Sequence, residues 1–298
     1  MSAEASTIAA PRAHRLGRPR VLRTRQGIVG LVLLGFVVGV ALIGPLVAPH
    51  PLDAPIGLGV PGAAPSAVAP LGTDYLGRDV LSRVLHGGIP VLELSVLTVV
   101  LSYVVGVTLG MLAGMTRSLL DPVLMRAVDV LLTFPPLLLL LVLIAGAGSS
   151  FFVLVAGIVF VIFPGVVRVV RTATLEVSAT SYIEAAVARG ERPLAIMRRE
   201  ILPNITPAIL ADAGVRFSWA IILAASVNFL GLGSQPPAAN WGLMVAENRS
   251  IIYSNIWSVA VPAAMLGLLA ISVNLLGDAL ARTLDRSGAR GELISPAP

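Results

Sequence analysis

Six apolar runs, at 27–48, 88–114, 121–146, 151–171, 206–233 and 257–281, decide most of what this 298-residue chain can fold into. At about 1.5 Å per residue, a helix of about 20 residues spans the hydrocarbon core of a bilayer. Backbone polar groups cannot face lipid unpaired, and the period-2 alternation of barrel strands is missing, so each run is expected to be helical. Charged residues make up only 12% of the chain, where a soluble domain has about a quarter. The expected fold class is an all-α integral membrane protein with six transmembrane helices.

The arginines orient it. All 21 basic residues are Arg, and six spans put both termini on one side. That side carries Arg12, Arg15, Arg18, Arg20, Arg23, Arg25, Arg117, Arg126, Arg168, Arg171, Arg189, Arg192, Arg198, Arg199, Arg282, Arg286 and Arg290. The other side has only Arg78, Arg83 and Arg249, so both termini are expected in the cytosol. The isoelectric point near 10.6 then reflects topology and attraction to anionic lipid, not nucleic-acid binding. The first run ends in Leu46-Val47-Ala48-Pro49 without a small-x-small cleavage pattern, which predicts an uncleaved first helix.

Several chemistries are excluded. Without cysteine there are no disulfides, thiolate metal sites or cysteine nucleophiles. Without lysine there is no nucleotide-binding P-loop. No H-E-x-x-H or G-x-S-x-G pattern occurs, and His14, His50 and His86 are too scattered for a metal site. No catalytic residue and no cofactor are expected on this chain.

Between the spans, residues 1–26 read as a basic, disordered cytosolic tail, and 282–298 as a second cytosolic tail. Residues 49–87 form an external loop rich in Pro and Gly, and 88–281 the core domain. Helix-start chemistry at Asp79, followed by Val80, Leu81 and Val84, predicts a short amphipathic helix on the outer membrane surface. The external loop 234–256 leads into a second surface helix, Leu243 to Ile252, anchored by Trp241 and Tyr253. Pro135-Pro136 and Pro164 should kink spans three and four, either for packing or as flexing points.

The loop 172–205 specifies two helices on the inner surface. Ser181 reads as an N-cap with Glu184 reaching back, Ala185, Ala186 and Ala188 propagate the helix, and Gly190 supplies a left-handed C-cap. Pro193 opens a second helix with Leu194, Met197 and Ile201 on one face and Arg198 and Arg199 on another, and Pro203 ends it. On residues alone this is an interfacial connector or a contact for a cytosolic partner; a DNA-reading helix pair is disfavoured by its tethering at both ends.

Here the sequence resembles a known family. Glu184, Ala185, Ala186, Gly190, Leu202 and Pro203 match the EAA loop of membrane subunits of type I ATP-binding-cassette importers, with Glu200 where the family has an apolar residue. The run from Gly72, Thr73 and Asp74 through Gly77, Arg78, Asp79, Leu81, Ser82 and Arg83 resembles the G-T-D-x-L-G-R-D-x-L-S-R signature of dipeptide and oligopeptide permeases. Phe229-Leu230-Gly231-Leu232-Gly233, Gln235-Pro236-Pro237 and Trp241-Gly242 are similar to a third motif of that group, closest to its C-type subunit. The resemblance implies a type I importer permease fold whose coupling helix docks on an ATPase subunit. It implies partners as well: a paralogous permease, two ATPase subunits holding ATP and magnesium, and an extracytoplasmic substrate-binding protein, at a bacterial inner membrane. The implied substrates are dipeptides or oligopeptides, although relatives of this architecture carry nickel, haem or other chelates.

Four charges remain as pathway or structural groups: Glu93, Asp129, and the i,i+4 pair Asp212 and Arg216, all read as lying toward span ends. Asp278 and Arg282 read as an interfacial pair. The rival class is a gradient-driven secondary transporter, which predicts internal repeats and charges deep in the membrane. No clear repeat is visible.

Overall fold

A computed structural model describes residues 24–57, 59–115 and 119–292; the tail 1–23 and residues 293–298 lie outside it. Five long apolar helices form the body: α1 (Arg25–Val47), α3 (Gly88–Met115), α6 (Phe151–Ser178), α9 (Leu202–Phe229) and α11 (Trp257–Glu292). Short elements fill the connections: α2 (Val80–His86), α4 (Leu120–Thr133), α5 (Pro136–Ala147), α7 (Ser181–Ala188), α8 (Pro193–Ile196) and α10 (Trp241–Asn248). No strand forms among the described residues beyond two isolated bridges, Pro55 with Arg78 and Thr73 with Asp79. The all-helical membrane architecture is as expected.

The third span is not one helix. Phe134 is extended, and α4 meets α5 at 91°, because Pro135 and Pro136 remove backbone donors at consecutive positions. With 14 and 12 residues, at about 1.5 Å each, neither half crosses about 30 Å alone. Together they must. Gly106 abuts Val166, Gly110 abuts Val170 and Gly114 abuts Thr174, so α3 and α6 run parallel, and the α4–α5 segment has to return the chain across the membrane. By contrast α1 and α11 are antiparallel, with Arg282 donating to Gln26 at one end and Gly30 against Leu275. Six crossings result, and the start of α1 and the C-terminal end of α11 share one side.

Small residues set the closest approach. A Cβ at Gly106, Gly110 or Gly114 would lie 2.6, 2.8 or 2.7 Å from the side chain across the α3–α6 seam. Close backbone approach of this kind drives association where the hydrophobic effect cannot. Gly110→Val is therefore expected to cost about 1–3 kcal/mol, the usual scale of overpacking. Thermal melting of the detergent-solubilised protein checks it, with Gly267→Ala, where a Cβ meets nothing within 4 Å, as the silent control.

Two expectations about the connections change. α2 does begin at Asp79, whose carboxylate accepts from the Leu81 and Ser82 amides, but it packs inward with Ser82, Arg83 and Val84 buried rather than lying on a membrane surface. α10 starts at Trp241, which is fully buried with its Nε1 donating to the Val84 carbonyl at 2.8 Å. Trp241 is a core residue, not an interfacial anchor; Tyr253 is fully exposed.

Candidate functional site

The loop between α6 and α9 carries the first group of candidate residues. α7 is capped by Thr180, not Ser181, and no side chain caps it, so the expected Ser181–Glu184 box is not made. Two consecutive hydroxyl residues compete for the cap, and the Thr180 hydroxyl instead donates back to Val177. The other end forms as expected. Gly190 has φ +75°, its amide donates to Val187, and the Glu191 amide donates to Ala186, which together make a Schellman C-cap.

Pro193 opens α8. Pro203 does not end the helix: Met197–Ile201 widen into a π turn, and the helix runs on through Leu202 and Pro203 into α9. A proline at 203 has no N–H for the Arg199 carbonyl and crowds it, and the wider turn relieves both. The expected face does not hold together. Met197 and Ile201 are buried, with Ile183, Ala186, Ile196 and Ile205 beneath the loop, whereas Leu194 is 73% exposed. Ser181, Glu184 and Ala185 also face outward, beside the exposed apolar side chains Tyr182 and Val187. The Asn204 amide donates to the Tyr182 hydroxyl and ties α7 to α9. The result is a two-helix projection with a buried base and a mixed apolar and charged rim.

The opposite end of the bundle holds the second group. Asp74 is fully buried and accepts from the amides of Leu76 and Arg78 and from Arg78 Nε at 2.6 Å. Gly72 and Gly77 have positive φ, and a side chain on either would collide with the Ala63 or Gly59 carbonyl. Thr73 donates to the Val60 carbonyl and accepts from the Ala63 amide, and Asp79 accepts from Ser82 Oγ at 2.6 Å. The unexpected partner is Glu247 on α10. It accepts from Arg83 Nη2 at 2.9 Å and from Tyr75 Oη at 3.1 Å, and lies 3.5 Å from Arg78 Nη2. Arg83 also donates to the Pro237 and Ala238 carbonyls. Burial holds the Glu247 carboxyl above its ordinary range despite the two arginines, and burial and the facing carboxylate push the Tyr75 hydroxyl up. The segments 72–83 and 235–242 are thus two sides of one clasp. A lone acid in an apolar helix facing two arginines was the available signal.

The intramembrane charges find partners. Asp212 meets Arg216 Nε at 3.2 Å and accepts from the Tyr103 hydroxyl at 2.6 Å. They lie 10 and 14 residues into α9, which begins at Leu202 rather than at 206. Asp129 pairs with Arg168, and Asp121 receives Arg171 Nε and Nη2 at 2.5 and 2.6 Å, tying α4 to α6. Asp278 and Arg282 are 3.9 Å apart at the surface. Glu93 is exposed on α3, with no ion pair among the described residues.

Residues 106–288 match the family model described as "binding-protein-dependent transport system inner membrane component". The chain belongs to this family. Among curated relatives, this permease is 38% identical over 215 residues to the di/tripeptide transport system permease protein DppC of Pseudomonas aeruginosa, covering 72% of this chain and 71% of the relative. It is 38% identical to the glutathione transport system permease protein GsiD of Pectobacterium atrosepticum, over 74% of this chain and 73% of that one. It is 32% identical to the probable D,D-dipeptide transport system permease protein DdpC of Escherichia coli K12, over 96% and 97%. Its fold is similar to a chain of the inward-facing MetNI methionine ABC transporter, with TM-score 0.58 and 21% identity, covering 68% of this permease and 96% of that chain. As a permease subunit of an ABC importer, this multi-pass membrane chain has no ATPase site of its own.

Proposed function

We propose that this permease is one of two membrane-spanning subunits of an ATP-driven importer of di- or oligopeptides. A paralogous permease completes the pathway between the subunits, two ATPase subunits dock on the α7–α8 projection, and an extracytoplasmic binding protein delivers peptide to the α2–α10 end. Both chain termini and the projection lie in the cytosol, the side on which the arginines outside the clasp concentrate. ATP and magnesium belong to the ATPase subunits. Closure of the ATPase dimer moves the projection as a rigid body, and α9, continuous with α8, carries that movement into the membrane.

The observation that carries this reading is the projection itself: a Schellman-capped helix with a buried base and an exposed apolar rim, at the position of the EAA match. The relatives named for di/tripeptide, glutathione and D,D-dipeptide transport support peptide as the cargo. The test is uptake of radiolabelled tri-alanine by proteoliposomes containing both permeases, the ATPases and the binding protein. Uptake is expected to require ATP and to survive collapse of the proton gradient. Uptake that follows the proton gradient and ignores ATP would sink the reading.

A further inference from the structure

Tyr103, Gly165 and Arg216 each lie near the middle of a 28-residue helix, and α3, α6 and α9 bring them to one point. Ionisable groups at that depth are costly and are kept only where paired or facing water. Asp212 is engaged on one edge of the arginine: its carboxylate straddles Arg216 Nε at 3.2 and 3.3 Å and accepts from Tyr103. The terminal edge is different. Among the described residues no acceptor bonds Arg216 Nη1 or Nη2, so an end-on fork of donors stays open.

The chain makes room for this fork. It lies flat on Gly165, where a Cβ would sit 2.5 Å from Nη1, 2.7 Å from Nη2 and 2.8 Å from Cζ, one residue after the proline inside α6. The arginine and Asp212 side chains are 24% and 15% exposed, so the fork is reachable. Donors left open in the body of apolar helices cannot face hydrocarbon, which offers them no acceptor. They call for water or another acceptor.

We propose that Arg216 is a recognition residue in the translocation pathway, its open fork holding the C-terminal carboxylate of a peptide in transit. This rests on the peptide-importer reading. The planar fork matches a carboxylate bidentately, a geometry that lysine lacks. Asp212 and Tyr103 are positioning residues: they fix the guanidinium plane and balance its charge, so a passing carboxylate is held without being trapped as it would be by a bare cation.

The experiment uses the assembled importer in proteoliposomes and the arginine reagent phenylglyoxal. Adducts at Arg216 are counted by mass spectrometry, with exposed Arg249 as the internal standard. Labelling of Arg216 is expected in the peptide-free complex and should fall several-fold with tri-alanine but not with tri-alanine amide. The Arg216→Lys importer should assemble normally and lose at least about ten-fold in tri-alanine uptake, the size of one charge-assisted hydrogen bond. Three results would overturn the proposal. They are an Arg216 unreactive without peptide (the fork is then filled by the partner permease), labelling indifferent to tri-alanine, and equal protection by the amide. Wild-type ATP-driven tri-alanine uptake without protection would reject this inference alone, whereas no uptake would reject the peptide reading with it.

Discussion

Arg83→Ala is expected to be the most damaging single truncation in this permease, costing about 3–5 kcal/mol. The side chain is fully buried between Glu247, the Pro237 and Ala238 carbonyls, and Asp74 at 3.4 Å. Removing it leaves two buried carboxylates with Arg78 as their one remaining cationic partner among the described residues and opens a large cavity at the junction of α2 and α10. At about 2–4 °C per kcal/mol for a chain of this size, detergent-solubilised protein should melt about 10 °C lower. Arg83→Lys keeps the charge but replaces the separate Nη1 and Nη2 donors with one nitrogen, so it should fall between. Adding Glu247→Ala to Arg83→Ala removes the stranded carboxylate as well, and the two losses should be clearly less than additive. A melting point within about 1 °C of wild type for the single variant would show that water, not Arg83, satisfies the clasp.

That clasp marks where reading the chain one residue at a time stops working. Asp79 was legible because its role is local, a helix cap, whereas Asp74, Gly77 and Arg78 stood out only through the family resemblance. Glu247 was not, since its partners Arg78 and Arg83 lie 169 and 164 residues away. Trp241 misled for the same reason: an indole suits a membrane interface equally well, and its acceptor at Val84 is 157 residues distant. The long helices were plain from their apolar length, and the bend in the third was marked by Pro135-Pro136. Its 91° size was not, because membrane helices accommodate proline to different degrees. Pro203 shows the converse: read as a stop, it is absorbed by a π turn. That misplaced the start of α9 by four residues.

The proposed coupling role is tested at a residue whose side chain adds little to this chain's own fold. Leu194 is 73% exposed at the tip of the projection, so Leu194→Asp removes almost no internal packing. Melting is expected to stay within about 2 °C of wild type, as for surface substitutions generally. Docking is another matter. A large apolar side chain at the centre of a partner groove is worth about 2 kcal/mol or more, and a buried carboxylate adds a desolvation cost. Co-purification of the ATPase subunits should therefore fall at least about thirty-fold, and ATP-driven uptake with it. Ala186→Asp is a poorer test, because Ala186 is buried and its replacement would disturb the projection itself. Val29→Ala on α1, equally apolar and half exposed along the bundle flank, should leave the ATPases bound. If the Leu194→Asp permease kept its ATPases at wild-type ratio, the rim of α7 and α8 would not be the docking face. The continuous α8–α9 rod would then lose its part in transmitting the power stroke.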